Sequence, residues 1–122
     1  MASTQVALGY PANAKMFQET AIGATVLGVD AAAGTLYMID VDNAANASVE
    51  YLKLWDAGTG AVTLGTTAPD WIIRVPASTR VQTLFVASNT FSTALSVACV
   101  TTAGTAGVTP PGSSVICRIV YA

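Results

Sequence analysis

Val49-Glu50-Tyr51-Leu52-Lys53-Leu54-Trp55 decides the fold. Val49, Tyr51, Lys53 and Trp55 fall on one side of an extended chain, and Glu50, Leu52 and Leu54 on the other, because successive side chains of a strand point to opposite faces. Asp56-Ala57-Gly58-Thr59-Gly60 follows as a turn whose glycines allow positive φ. Beyond it, 61–70 reads as a loop or short edge strand ended by Pro69, and 71–75 as a strand closed by Pro76. Residues 80–87 form another strand before a polar turn at 88–90. In 95–101, Leu95, Val97 and Cys99 share a face. A Gly/Thr/Pro loop at 103–114, with Pro110-Pro111, leads to a closing strand at 115–121. There Val115, Cys117, Ile119 and Tyr121 oppose Arg118.

On the other side of the opening stretch, 42–46 is a turn and 35–41 a strand, with Leu36 and Met38 opposite Tyr37, Ile39 and Val41. Residues 30–34 turn again, and 21–29 is the first strand. The Ala-rich runs 31–33 and 44–47 are too short for stable helices. Seven or eight short strands separated by turns predict an all-β chain, an antiparallel β-sandwich of jelly-roll type. Residues 1–20 lack a sustained period and read as an extended N-terminal arm, leaving 21–122 as the sandwich domain. The arm carries apolar anchors at Val6, Leu8, Tyr10, Met16 and Phe17. These suit a strap that orders on a neighbouring subunit.

Charge is scarce. The 122 residues include five basic and seven acidic side chains and no histidine. Residues 81–117 carry no charge at all, although Thr, Ser, Gly and Pro interrupt them too often for a membrane span. A folded chain of this mass exposes roughly 6,000 Å², and free soluble domains carry more charge on such an area. The expectation is a protomer largely covered by copies of itself or by a larger shell. Lys15, Lys53, Arg74, Arg80 and Arg118 are too few and too scattered to track a phosphate backbone, so neither nucleic acid nor a membrane is an expected partner. No secretory signal is read at the N-terminus. Asn46-Ala47-Ser48 matches a glycosylation acceptor only formally.

Few residues of the chain suit catalysis. Without histidine there is no Ser-His-Asp or Cys-His pair. Asp40 and Asp42, with Glu50 from the next strand, could gather carboxylates for calcium or glycoside hydrolysis. The plainer expectation is that they solvate strand ends. The Gly-rich segments 58–60 and 104–107 lack the lysine and spacing of a phosphate loop. No cofactor, metal or catalytic residue is expected, and no enzyme. Cys99 and Cys117 read as buried thiols; the alternative is a disulfide between neighbouring strands, which needs Cα atoms within about 7 Å. Trp55 and Trp71 lie beside loops, where tryptophans anchor interfaces or stack on sugars. Burial in the sandwich core is the competing reading.

Several phrases together resemble small virion proteins of tailed bacteriophages. They are Tyr51-Leu52-Lys53-Leu54-Trp55-Asp56-Ala57, Val62-Thr63-Leu64-Gly65-Thr66-Thr67-Ala68-Pro69-Asp70, Ile73-Arg74-Val75-Pro76-Ala77, Phe91-Ser92-Thr93-Ala94-Leu95-Ser96-Val97-Ala98 and Ile119-Val120-Tyr121. The resemblance implies a jelly-roll capsid decoration (cement) protein, a homotrimer bound to the major capsid protein on the outer surface of the head. Assembly would take place in the host cytoplasm. The alternative it implies is a receptor- or glycan-binding module of a head fibre or tail. It implies no catalytic residues.

Overall fold

The computed structural model describes residues 12–122. Eight strands follow one another: β1 (Lys15–Glu19), β2 (Leu27–Asp30), β3 (Gly34–Asp42), β4 (Glu50–Trp55), β5 (Trp71–Val75), β6 (Arg80–Phe91), β7 (Leu95–Val100) and β8 (Ile116–Tyr121). A single 3-10 turn at Thr59–Ala61 is the one helical element among them. The strands form two four-stranded sheets, β1-β8-β3-β6 and β2-β7-β4-β5, and every pairing is antiparallel. The expected antiparallel β-sandwich is what this chain forms. β1 pairs with β8, β2 with β7, β3 with β6 and β4 with β5. The chain is therefore one long hairpin rolled up, its outermost strands in contact and its fold-back point the fifteen-residue connection 56–70 between β4 and β5.

The core between the sheets is built by alternation. Leu36, Ile39 and Val41 from β3 and Cys117 and Ile119 from β8 meet Leu52 and Leu54 from β4 and Val97 and Cys99 from β7. Both cysteines are free and fully buried. They come from opposite sheets, and burial pushes each thiol up to about 12, so they behave as small apolar side chains.

Three boundaries differ from the sequence reading. The sandwich begins before Ala21: Lys15–Glu19, assigned to the arm, is an edge strand in register with β8, and its Phe17 packs on the core. Residues 1–11, with Val6, Leu8 and Tyr10, lie outside the described residues. The expected strand at 21–29 shrinks to β2, because the chain crosses between sheets there. Ile22 N–H donates to Val115 O (3.0 Å) in front of β8, while Gly23 O accepts from Cys99 N–H (2.9 Å) on β7. β6 runs through the expected turn at 88–90, since Asn89, Thr90 and Phe91 pair with Leu36, Thr35 and Gly34. Gly34 is required at that join: a Cβ would lie 2.4 Å from Ala122 O and 2.7 Å from Phe91 Cζ.

Polar residues close the ends. Asn43, fully buried, donates through Nδ2 to Ser48 O (3.0 Å), Val75 O (3.3 Å) and Pro76 O (3.0 Å). Its Oδ1 accepts from Asn46 Nδ2 (2.9 Å), which also donates to Ser113 O (3.1 Å). The formal glycosylation acceptor is thus a buried structural amide. At the opposite end Asp56 accepts from Ser92 N–H (2.7 Å), Thr93 N–H (2.7 Å), Ser92 Oγ (2.9 Å) and Ala94 N–H (3.3 Å). The backbone donors of Ser92 and Thr93 hold its carboxyl down to about 2.

Glu50 has the opposite character. It is fully buried; Oε1 accepts from Ser48 Oγ (3.1 Å), and Oε2 has no partner among the described residues. Burial raises its pKa above 4.5, against a smaller downward pull from Ser48. A carboxyl whose folded-state pKa is raised contributes its full stability below the unfolded value, and that stability is lost as pH rises through the folded value. Glu50→Gln keeps the shape and removes the charge. We expect denaturant midpoints to show the variant more stable than the parent at pH 7–8, with the gap closing towards pH 4. A gap that stays constant with pH would show that Glu50 reaches solvent. Asp56 has the reverse sign: its contribution is present above 3.8 and lost as pH falls through about 2.

Candidate interaction surface

The two sheets treat their outer faces differently. On the second sheet, Lys53 and Trp55 point away from the core, with Ala98 beside Lys53 and Ser96 beside Trp55 on β7. Distant loops cover them. Trp55, 1% exposed, packs with Val62 and Ala98, with Val26, Ala57 and Leu64 around them. Its Nε1–H donates to Thr67 O (3.1 Å). Lys53, fully buried, donates from Nζ to Gly104 O (2.6 Å) and Gly107 O (3.1 Å), and burial lowers its pKa. Gly65, at φ 89°, brings these loops together, since a Cβ there would sit 2.7 Å from Val108 Cγ1. Loops 57–70 and 101–109 thus serve as a second layer over this sheet.

The outer face of the first sheet has no such layer among the described residues. The register carries one row across all four strands: Met16 (β1) beside Val120 (β8), Val120 beside Met38 (β3), Met38 beside Leu84 (β6). This row of four apolar residues spans about 14 Å at the usual strand spacing. None of the four belongs to either apolar cluster of the described residues. Met16 is 58% and Leu84 59% exposed. Next to Leu84 the edge strand bulges, residues 85–88 standing against Tyr37 alone. Val86, in that bulge, is fully exposed. Of the five large exposed hydrophobic residues among the described residues, only Ile72 and Val108 lie off this sheet.

A polar chain runs beside the apolar row. Gln18 Oε1 accepts from Arg118 Nε (2.9 Å), Arg118 Nη1 lies 3.8 Å from Asp40 Oδ2, and Arg80 holds both oxygens of Asp40 in a bidentate pair. The arginines leave Asp40 2% exposed on what is nominally an outer face. The pair raises the Arg80 pKa. This face therefore presents little unmatched charge. Asp40, Glu50 and Lys53 are all buried, so nine of the twelve charged side chains remain on a surface of 6494 Å².

The carboxylates do not converge. Asp40 and Asp42 share the outer face of the first sheet, while Glu50 points into the sandwich from the second. Among the described residues no group of three His, Cys, Asp or Glu side chains is placed to hold a metal ion. Glu50 therefore does not join the two aspartates in one site. No helix of the described residues is long and apolar enough to cross a membrane.

The expected interface residues separate. Met16 is on the surface; Phe17 turns inward against the core. Trp55 is covered by its own loops, and Trp71, opposite Leu54 on edge strand β5, packs partly buried on the core. Trp55 is therefore not exposed for contact with a neighbour, because the loop after it folds back over its ring. No family model, curated protein or solved structure matches this chain. The surface must be read from its own chemistry. Val120, Met38, Leu84 and Val86 went unrecognised in the sequence. One signal was available: in β6 both phases are apolar, Val81 and Phe85 on one side, Leu84 and Val86 on the other.

Proposed function

We propose that this chain is a structural virion protein of a tailed bacteriophage, a capsid decoration protein that assembles as a homotrimer on the outer surface of the head. The observation that carries the reading is the uncovered face of the first sheet: an apolar row and a bulged valine beside a charge network that is satisfied internally. A surface that is apolar and electrically quiet suits permanent burial against a neutral protein neighbour. The strand pairs 1·8, 2·7, 3·6 and 4·5 also support it, since an eight-stranded jelly roll, an architecture of viral capsid and lectin domains, would pair its strands in this way. So does the resemblance to phage virion proteins. The glycan-binding alternative needs tryptophans open to a sugar; Trp55 is closed off, and Trp71 is half-buried against the core.

Association through apolar area resists salt, whereas exposed ion pairs are screened over about 10 Å at 0.1 M. The expected result is a trimer by sedimentation at micromolar concentration, unchanged in 1 M salt. It should restore full occupancy when added to particles that lack it. Quantitative mass spectrometry of purified virions should find a copy number of the same order as that of the shell subunit. A stable monomer, or a copy number fit for a single fibre or tail, would overturn the proposal.

A further inference from the structure

The first sheet ends in two edges that fit each other. β1 and β6 have no second strand partner among the described residues. Three antiparallel steps separate them, so they run in opposite directions. Placing β6 of one copy beside β1 of the next therefore makes an antiparallel pair, continuing the sheet with its outer face still outward. The regular part of β6 before the bulge, residues 80–84, has the same length as β1. Setting Leu84 opposite Met16 puts Gln82 opposite Gln18 and Thr83 opposite Phe17. Every pair then shares a face: Leu84, Gln82, Met16 and Gln18 outward, Thr83 and Phe17 inward. The apolar row and the polar row both run on without a break from one copy into the next.

We infer that copies of this chain join edge to edge, β6 of one pairing with β1 of the next, so that the apolar rows merge into a closed ring. The inference rests on the oligomer proposed above and assigns its joint. A long exposed edge strand invites such pairing, and neither edge carries a proline to prevent it. Asp40 takes up Arg80, so the charge at the start of β6 is matched before association. The contact is head-to-tail, and a head-to-tail contact closes when its rotation divides a full turn; three copies are the closure assigned here. Val86, in the bulge beyond the paired stretch, stands clear of the joint.

The test uses the full chain with Met16→Cys and Leu84→Cys together. Within one molecule these positions are three strand spacings apart, about 14 Å, twice the Cα separation a disulfide allows. The native thiols Cys99 and Cys117 are buried. Mild oxidation should give covalent dimers and trimers on a non-reducing gel, with trimer the largest band, and reduction should return monomer. Either substitution alone should give no bridge. A dimer from Leu84→Cys alone would show a two-fold contact and overturn the joint. So would an unbridged double variant that sediments as an oligomer, or a double variant that remains monomeric. A bridged trimer that fails to bind particles would overturn the virion assignment and leave the joint standing. Particle binding without the bridge would do the reverse.

Discussion

Trp55→Ala is expected to lower the free energy of unfolding by about 3–5 kcal/mol, the range for deleting a buried large aromatic. For a chain of this length that is a fall in Tm on the order of 10–20 °C. The ring is 1% exposed, and the contacts it would lose are to Val62, Ala98, Val26, Ala57 and Leu64. Removing the indole also leaves Thr67 O without its donor. Trp55→Phe keeps most of the packing and loses that hydrogen bond, so it should cost much less. Hydrogen exchange should report where the damage falls: amides of 57–70 should lose protection first, while β3 and β8 keep theirs. A loss below about 1 kcal/mol would mean that the loop does not rest on Trp55 in solution. The contrast between a covered second sheet and an open first sheet would then fail, and the proposed function with it.

That covered face shows what the sequence could and could not tell. Alternation in 49–55 correctly separated Lys53 and Trp55 from Leu52 and Leu54. A lysine on a strand face is ordinarily solvated, but Lys53 and Trp55 are as buried as the core side of β4. The cover over Lys53 comes from Gly104 and Gly107, some fifty residues away, and no local pattern reveals it. β5 was read to the residue because Pro69 and Pro76 bracket it. β1 was missed because a five-residue edge strand shows one clear inward apolar residue, Phe17, which is too little to establish a period. The scarcity of charge was plain from composition. Which surface it concerns was not, because Met16, Val120, Met38 and Leu84 become neighbours only through the register of four strands.

The amide hub at the other end of the sandwich gives the second large effect. Asn43 Nδ2 faces three backbone carbonyls, those of Ser48, Val75 and Pro76, from the β3–β4 and β5–β6 connections. Asn46, itself 5% exposed, extends the hub to Ser113 in the loop before β8. Asn43→Ala orphans those carbonyls and leaves a small void, at an expected cost of about 2–4 kcal/mol. Asn43→Asp changes almost no volume but is expected to cost more at pH 7. It turns a two-hydrogen donor into an oxygen facing three carbonyl oxygens, and it places an unpaired charge where water does not reach. The remedy available to the folded chain is to bind a proton, so the aspartate pKa should rise. A protonated carboxyl returns one donor to the hub. The difference between Asn43→Asp and the parent should therefore shrink as pH falls from 7 towards 4, while that of Asn43→Ala stays flat. Denaturant midpoints for the three proteins across this range decide the matter. Two flat differences would show that water enters the hub, and a cost below about 1 kcal/mol for Asn43→Ala would show that these connections are held from elsewhere.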